Sequence, residues 1–415
     1  MENVIAVGLI LPEVTKTTAE EHLEELVKLI ESAGASVVST LLSKRGAPDP
    51  ALYVGKGKAE EIQKLAIEHK AELIVFDDDL TPAQVRNLEK AIETRVLDRS
   101  ELIIDIFAKR ARTRQARLQV ELAQVQYQMP RLRRMWTHLS RITGVGGVGS
   151  RGPGEKQIEV DRRLAKQRLD DLKRELAEIE ERRDRQVKAR KSTFNAALVG
   201  YTNVGKSTLM NRFTGADVFV ADMLFATLDP RTRQWDLGDG IKVLLSDTVG
   251  FVEKLPHHLV ASFHATLAEV TGADLLLHVV DAGDPGAEEK LGVVRDVLKK
   301  IGAGEIPEII LLNKVDRVDD AAALNAFRRK LGEHYLVSAR TGDGLDAVAR
   351  RVRAAAAAFE VVVDLDIPAS DGRTLAALAA TSAVHERRYE GDRCLLRASV
   401  PRAELHRFER FVRST

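Results

Sequence analysis

The stretch GYTNVGKS, Gly200 to Ser207, has the residue types and the spacing that bind the phosphates of a nucleotide. It fits the pattern GxxxxGK[ST], whose glycines allow backbone N–H groups to surround phosphate oxygens. Lys206 is predicted to reach the β- and γ-phosphates, and the Ser207 hydroxyl to bind Mg²⁺. Because an apolar strand pattern precedes the loop and a helical pattern follows it, the motif has the context that it requires.

Two later motifs predict which base is bound. NKVD, Asn313 to Asp316, follows an apolar strand, and the Asp316 carboxylate would accept hydrogen bonds from guanine N1–H and the 2-amino group. Lys314 would lie along the plane of the base. SAR, Ser338 to Arg340, follows the next strand, so that the Ala339 N–H would meet guanine O6. This order of motifs after a phosphate-binding loop predicts guanine specificity.

Residues between these motifs are predicted to sense the γ-phosphate. Asp247 of DTVG ends a strand, where it would hold Mg²⁺ through water, and Gly250 would offer its N–H to the γ-phosphate. Thr227 in LFATLDP would complete the Mg²⁺ shell when GTP is bound; the alternative is a loop threonine without a role. The predicted metal ligands are Ser207, Thr227 and Asp247. The full set predicted to contact the nucleotide is Gly200, Tyr201, Thr202, Asn203, Val204, Gly205, Lys206, Ser207, Thr208, Phe225, Ala226, Thr227, Asp247, Thr248, Val249, Gly250, Asn313, Lys314, Val315, Asp316, Ser338, Ala339 and Arg340.

One position departs from the pattern of signalling GTPases. The residue after Gly250 is Phe251, where those proteins have a glutamine that orients the attacking water. Since a phenyl ring makes no such hydrogen bond, hydrolysis must depend on Mg²⁺, Lys206 and a group supplied from elsewhere. Asn203 lies in the loop as in GTPases that recruit K⁺, which would replace an arginine finger, and we expect slow hydrolysis that a partner raises. The predicted catalytic residues are Lys206, Thr227, Gly250 and Asn203.

Strand and helix patterns around these motifs predict an α/β fold in four parts. Residues 193–358 alternate apolar strands with helices, as in a mostly parallel doubly wound sheet, and form the predicted P-loop GTPase domain. Residues 1–107 show three strands with helical patterns between them and predict an N-terminal α/β domain. Residues 359–415 show a β-α-β-α pattern and predict a small C-terminal α/β unit.

Residues 108–192, the fourth part, are helical and strongly basic. The stretch Lys109 to Lys191 contains 23 lysines and arginines against 11 carboxylates, a net charge of +12 in a chain whose total is +1. Apolar residues at intervals of three and four on both sides of a Gly/Pro loop predict an antiparallel helical hairpin. Such an excess of positive charge favours nucleic acid as a partner over a merely solvated helix face.

The loop ITGVGGVGSRGPGE, Ile142 to Glu155, contains GxGxxG, a pattern shared with dinucleotide-binding turns. A basic helical stretch precedes it and a charged helical arm follows it, so the pattern lacks the buried strand of a dinucleotide site. We interpret the loop as the tip of the hairpin, whose glycines keep it thin enough to approach RNA phosphates. The predicted RNA contacts are Gly146, Gly149, Arg151, Gly152, Gly154 and Lys156.

The composition is typical of a cytoplasmic protein. No run of about eighteen apolar residues occurs, which argues against a membrane span, and the N-terminus lacks the basic region of a signal peptide. The single cysteine, Cys394, excludes an internal disulfide and a cysteine metal cluster. We expect a cytoplasmic monomer, with some peripheral association with the membrane, and no DNA partner.

The chain resembles the HflX family of ribosome-associated GTPases over roughly residues 4 to 350. The resemblance lies in the segments RTRQARLQVELAQVQYQMPRL, GSRGPGEKQIEVDRR, ALVGYTNVGKSTLMNRFTGA, LFATLDPRTR and SDTVGFVEKLPHHLVASFHATL. It implies Mg²⁺-dependent GTP hydrolysis coupled to binding of the large ribosomal subunit and its rRNA, with splitting of stalled ribosomes. It also implies that the N-terminal domain and helical arms enter the intersubunit region. Phe251 agrees with the family, which has an apolar residue there.

Two other functions are compatible with the sequence. A GTPase of ribosome assembly or rRNA modification would use the same basic hairpin on free rRNA or pre-ribosomes. A nucleotide-gated scaffold would bind a protein or a membrane through the helical arms, although the basic segment argues against it. YVGKGKAEEI, Tyr53 to Ile62, also matches the family, and its glycines either hold an anion, such as rRNA phosphate or a second nucleotide, or form a plain turn.

Overall fold

A computed structural model of the chain describes residues 2–135, 153–189, 193–215, 223–225, 228–229, 231–238, 241–254, 269–318 and 320–413. The protein divides into two compact units. The first comprises Met1–Ala177, Ala221–Asp229 and Gly250–Thr266, and the second comprises Glu178–Val220, Pro230–Val249 and Leu267–Thr415. Among the helices of the described ranges, none is long and apolar enough to cross a membrane.

The first unit contains an N-terminal α/β domain. Its strands are β1 (Asn3–Ile10), β2 (Ser36–Lys44), β3 (Leu73–Phe76) and β4 (Arg95–Asp98). Its helices are α1 (Lys16–Ser32), α2 (Lys56–Glu68), α3 (Pro82–Ile92) and α4 (Arg99–Arg110). The strands form a parallel sheet in the order β2-β1-β3-β4. The sequence patterns indicate only three of these strands. β3, LIVF, is a continuous apolar run, whereas β4, RVLD, has only two apolar residues between charged ones.

Two long helices form the predicted antiparallel hairpin. They are α5 (Arg114–Met135) and α6 (Pro153–Ala189). Arg168 makes two hydrogen bonds to Glu121, at 2.7 and 2.8 Å, and Arg114 makes one to Glu175, at 3.0 Å. Because the partners of successive residues on α5 run backwards along α6, the arms are antiparallel, as predicted. Leu118 and Leu122 of α5 and Leu172 and Leu176 of α6 are buried.

The predicted tip of the hairpin lies largely outside the described residues. Gly146, Gly149, Arg151 and Gly152 all fall there. Gly154 and Lys156 instead belong to the first turn of α6, which begins at Pro153, so the predicted loop is too long at its C-terminal end. Proline favours the first position of a helix, because its fixed φ suits the helix and its missing N–H needs no partner there.

The second unit contains a six-stranded sheet with helices between its strands. The strands are β5 (Asn195–Gly200), β6 (Arg231–Asp236), β7 (Lys242–Asp247), β8 (Leu275–Asp281), β9 (Glu308–Asn313) and β10 (His334–Leu336). The helices are α7 (Lys206–Thr214), α8 (Ala287–Lys300), α9 (Ala321–Arg328) and α10 (Leu345–Phe359). The order is β10-β9-β8-β5-β7-β6, with every neighbouring pair parallel except β6 and β7. The prediction of a mostly parallel sheet is confirmed.

The antiparallel strand β6 was not expected from its sequence, RTRQWD. Among its six residues only Trp235 is buried, and it packs against Phe213 with ring centroids 4.3 Å apart. A strand with one apolar residue shows no alternation. It pairs with β7 through backbone hydrogen bonds, and its own residue pattern does not predict this pairing.

The C-terminal residues form a second, smaller sheet in the same unit. Its elements are β11 (Glu360–Pro368), α11 (Gly372–Thr381), β12 (Ala383–Glu390) and β13 (Arg393–Pro401), with antiparallel strands in the order β11-β13-β12. The predicted β-α-β-α order is wrong in two places. It omits the polar strand β12, and its final helix is two short 3₁₀ segments. Leu405, Phe408 and Phe411 pack on the sheet core at a spacing of three, which suits a 3₁₀ helix.

Candidate nucleotide-binding site

The phosphate-binding loop connects β5 to α7 at the edge of the large sheet where its parallel strands end. Gly200 has a φ of 146°, and a Cβ there would lie 2.3 Å from the carbonyl oxygen of Val279. Gly205 has a φ of 98°, and its Cβ would lie 2.4 Å from Nδ2 of Asn313. Both positions therefore require glycine, for backbone conformation and for space. The loop leads into the N-terminus of α7, where helical N–H groups can bind an anion.

Lys206, the first residue of α7, is buried against the loop that precedes it. Its side chain is 7% exposed, and Nζ donates to the carbonyl oxygens of Tyr201, at 2.7 Å, and of Gly200, at 3.2 Å. Burial lowers the pKa of Lys206 to about 8, although the negative charge of Asp247 acts in the opposite direction. The two carbonyl oxygens stabilise the Lys206 ammonium only in part, because they carry no net charge. A phosphate would supply a fully anionic partner.

Two oxygen donors meet next to the loop. The Ser207 hydroxyl donates to Oδ2 of Asp247 at 2.6 Å, and Asp247 is fully buried at the end of β7. Thr248, the residue after Asp247, is held to β5, because its hydroxyl donates to the carbonyl oxygen of Leu198 at 2.7 Å. The Thr202 hydroxyl in the loop is buried and has no hydrogen-bond partner within the described ranges. Hydroxyl and carboxylate oxygens suit Mg²⁺, and an unsatisfied hydroxyl suits a phosphate oxygen.

Asn313, the last residue of β9, joins the phosphate loop to the SAR segment. Its Nδ2 donates to the carbonyl oxygen of Val204 at 2.7 Å, and its Oδ1 accepts the N–H of Ala339 at 2.9 Å. The side chain is 1% exposed, so both hydrogen bonds lie out of water. One amide therefore holds together two loops that are far apart in sequence, as the predicted site requires.

The two charged residues of NKVD occupy defined positions. Lys314 has a φ of 64°, and its Nζ donates to the carbonyl oxygen of Asn203 at 2.8 Å. Asp316 accepts a hydrogen bond from the Ser338 hydroxyl at 2.6 Å, and this bond holds the pKa of the Asp316 carboxyl below its usual value. The carboxylate thus stays ionised and oriented, with acceptor capacity left for a base.

These residues line an open cavity of about 350 Å³. It is lined by Gly205, Thr208, Arg212, Asn313, Lys314, Asp316, Arg317, Ala339 and Arg340. Arg212 was not singled out from the sequence; its guanidinium donates to the carbonyl oxygens of Ala339, at 3.0 Å, and Arg340, at 2.5 Å. A signal was available, because Arg212 follows the phosphate loop by one and a half turns of α7 and so lies on the helix that starts the site.

Several predicted site residues belong to the first unit or lie outside the described residues. Ala226 and Thr227 are outside the described ranges. Phe225 belongs to the first unit, where its buried ring packs edge-to-face on Phe107 with centroids 4.7 Å apart. Gly250 also falls in the first unit, one residue after Val249 of the second. Their roles at the nucleotide remain predictions.

The residues after Gly250 contact the N-terminal α/β domain. Lys254 Nζ lies 2.6 Å from both Oδ2 of Asp77 and Oδ1 of Asp78. Arg99 is 2% exposed and donates to Asp77 Oδ1 at 2.6 Å and to the Glu253 carbonyl oxygen at 3.0 Å. We call this set the Lys254 network; it comprises His22, Glu25, Asp77, Asp78, Arg99, Glu253 and Lys254.

Two residues of the Lys254 network, His22 and Glu25, belong to helix α1. Glu25 forms an ion pair with Arg99, and His22 Nε2 lies 2.9 Å from Oε1 of Glu253. The Glu253 carboxylate beside it raises the pKa of His22, against the opposing effect of burial. The network therefore holds charges of both signs in close pairs, and removing one partner would leave another buried and uncompensated.

Comparisons with known proteins identify the family to which the chain belongs. Three family models match the chain: "GTP-binding GTPase N-terminal" at residues 20–108, "GTP-binding GTPase Middle Region" at 110–190, and "50S ribosome-binding GTPase" at 195–314. A crystal structure of a complex of SsGBP and GDP is similar, with a TM-score of 0.50 and 23% identity. It covers 86% of this chain and 99% of that chain, and it supports the fold alone.

Two curated relatives are similar over most of their length. GTPase HflX of Magnetococcus marinus is 45% identical over 401 residues, which cover 96% of this chain and 92% of the relative. GTPase HflX of Escherichia coli K12 is 44% identical over 356 residues, or 85% and 83% of the two chains. The phosphate loop and the guanine motifs occupy one edge of one sheet, as a GTP hydrolase requires. The chain therefore belongs to the HflX family, and it is a ribosome-associated GTPase that hydrolyses GTP to GDP and phosphate.

Proposed function

We propose that this protein is a Mg²⁺-dependent GTPase that binds the large ribosomal subunit and splits stalled ribosomes into subunits. The matching "50S ribosome-binding GTPase" model over residues 195–314 supports the ribosomal partner. In this proposal the binding and hydrolysis of GTP change the conformation of the protein, and this change separates the subunits. The protein acts as a cytoplasmic monomer.

The metal would be held by Ser207 and Asp247, whose oxygens are already in contact, and by Thr227 when GTP is bound. Mg²⁺ at this position would neutralise charge on the β- and γ-phosphates. Lys206 would move its ammonium from two backbone carbonyls to the phosphates and so keep a charge-assisted partner throughout. Replacement of Ser207 or Asp247 should therefore weaken Mg²⁺-dependent binding of GTP strongly and lower the stability of the fold much less.

Hydrolysis by this protein alone should be slow. Phe251, next to Gly250, is 2% exposed and apolar, so it orients no water. We propose that K⁺ held near Asn203 and a contact from the ribosome together supply the missing charge. Equal rates in Na⁺ and K⁺ would contradict the role of K⁺. Fast turnover without ribosomes would contradict the role of the partner.

The Lys254 network supports the proposal that a change at the nucleotide alters the contacts of the N-terminal domain. Gly250 is the predicted contact to the γ-phosphate, and only four residues later Lys254 pairs with Asp77 and Asp78 of the N-terminal domain. A shift at Gly250 on GTP binding or hydrolysis would therefore be felt at these ion pairs. Since such pairs lose most of their attraction when the geometry is disturbed, the network suits a two-state device.

The basic hairpin would supply the affinity for rRNA. Lysines and arginines neutralise phosphates, and each contact adds to the dependence of binding on salt. The predicted contacts at Gly146, Gly149, Arg151, Gly152, Gly154 and Lys156 belong to this proposal. Ribosome binding that is insensitive to salt would contradict it.

A sucrose-gradient profile of intact ribosomes tests the function. We expect free subunits to accumulate when the protein is added with GTP, and far fewer when it is added with GDP. The variant Lys254→Met should bind GTP normally but release fewer subunits. Lys330→Met is a matched control, because Lys330 pairs with Glu288 on the surface of the second unit.

Three results would contradict parts of the proposal. Unchanged ribosomes with GTP would exclude splitting. Association with immature particles alone would favour ribosome assembly or rRNA modification. Equal splitting by Lys254→Met and the unmodified protein would exclude the Lys254 network as the connection.

A further inference from the structure

Asp281 ends β8 at the sheet edge that carries the nucleotide motifs, and it was not singled out from the sequence. In the parallel register Asp281 lies beside Asn313, the last residue of β9. Its Oδ2 lies 2.8 Å from Nζ of Lys314, and its Oδ1 accepts the N–H of Gly283 at 3.1 Å. Both carboxylate oxygens are thus engaged, so the side chain has a fixed orientation.

Lys314 is the residue that Asp281 holds, and two oxygen atoms contact its ammonium. Its φ of 64° is in the left-handed region, which non-glycine residues seldom adopt. Its ammonium is held between the Asn203 carbonyl oxygen and the Asp281 carboxylate, at 2.8 Å from each. Lys314 also lines the cavity described above.

We infer that Asp281 is a positioning residue for guanine-nucleotide binding. It holds Lys314 in place before the nucleotide arrives, so that the apolar stem presents a flat surface to the base. Pre-orientation lowers the conformational entropy lost on binding, because a lysine side chain has many rotamers to give up. This role concerns the nucleotide site alone and does not depend on ribosome splitting.

The size of the effect follows from exposure. The side chains of Lys314 and Asp281 are 22% and 24% exposed, so water screens their attraction in part. A pair of this type changes affinity by about fivefold when one charge is removed. Selectivity for guanine should persist, because Asp316 reads the base through separate atoms.

The test uses Asp281→Asn, which keeps an oxygen for the Gly283 N–H but loses the charge. We expect a GDP dissociation constant about fivefold higher and a faster release of a fluorescent GDP analogue. The KM for GTP should rise with kcat unchanged, because Lys314 acts equally on the ground state and the transition state. Asp284→Asn is the matched control: it removes the same charge nearby, from the pair with Lys290 at 2.5 Å.

A double-mutant cycle with Lys314→Met separates positioning from a purely structural role. If Asp281 acts through Lys314, Asp281→Asn should have no further effect on GDP affinity in the Lys314→Met background. If the fold-changes in the GDP dissociation constant of the two single variants multiply in the double variant, the two residues act independently and the inference is overturned. Unchanged GDP affinity in Asp281→Asn would also overturn it. Thermal unfolding without nucleotide identifies a folding defect; if Asp281→Asn unfolds, an Asp281→Ser variant repeats the cycle.

Discussion

The buried lysine of the phosphate loop leads to a quantitative prediction about pH. Burial lowers the pKa of Lys206 to about 8 in the nucleotide-free protein. Phosphate oxygens favour the charged form, so nucleotide binding should raise that pKa again. The pKa is higher in the complex, so the affinity is fully present below pH 8 and is lost as the pH rises through this value.

The magnitude follows from the fraction of charged lysine. With a pKa near 8, about nine-tenths of the free protein carries the charge at pH 7 and about one-tenth at pH 9. GDP affinity should therefore fall roughly tenfold between these pH values. At pH 8 half of the molecules lack the proton, so binding should take up about half a proton per GDP.

Titration calorimetry at pH 8 in buffers of different ionisation enthalpy measures this proton directly. Guanine itself loses its N1–H proton in alkaline solution, so the proton count at pH 8 is a better test than affinity at pH 9. Lys206→Arg is the control, because arginine stays charged and should show no uptake. A count near zero for the unmodified protein would refute the reasoning, whether or not the arginine variant binds GDP.

Three further changes test other parts of the structure. Asp316→Asn should turn the preference from guanine toward xanthine nucleotides in competition binding, and a retained preference for GDP would contradict the assigned base contact. Ser207→Ala should weaken GTP binding with Mg²⁺ much more than without it; an equal loss in both conditions would exclude Ser207 as a metal ligand. Leu172→Ala, in α6, should lower the free energy of unfolding by about 2–5 kcal/mol, because Leu172 is fully buried. A denaturation midpoint equal to that of the unmodified protein would show that the fold does not depend on this side chain.

The local parts of the site could be predicted from sequence because each is a short strand-to-loop pattern. Gly200–Ser207, Asp247 and Asn313–Asp316 all follow apolar strands, and parallel strands must end at the same edge. The helical hairpin was predicted for a similar reason, since its period continues over many turns. The strands β6 and β12 were missed because they are rich in polar residues and show no alternation of apolar with polar residues.

By itself the sequence determined the order of the motifs, the class of the sheet and the need for glycine at the phosphate loop. Each of these shows in a short sequence pattern, although the limit on space at Gly200 and Gly205 comes from Val279 and Asn313, far along the chain. Only the tertiary structure decided that Asp281 holds Lys314 and that Lys254 pairs with Asp77, 177 residues away in sequence. Such ion pairs leave no periodic signal, because any surface carboxylate and lysine look alike until folding brings two of them together.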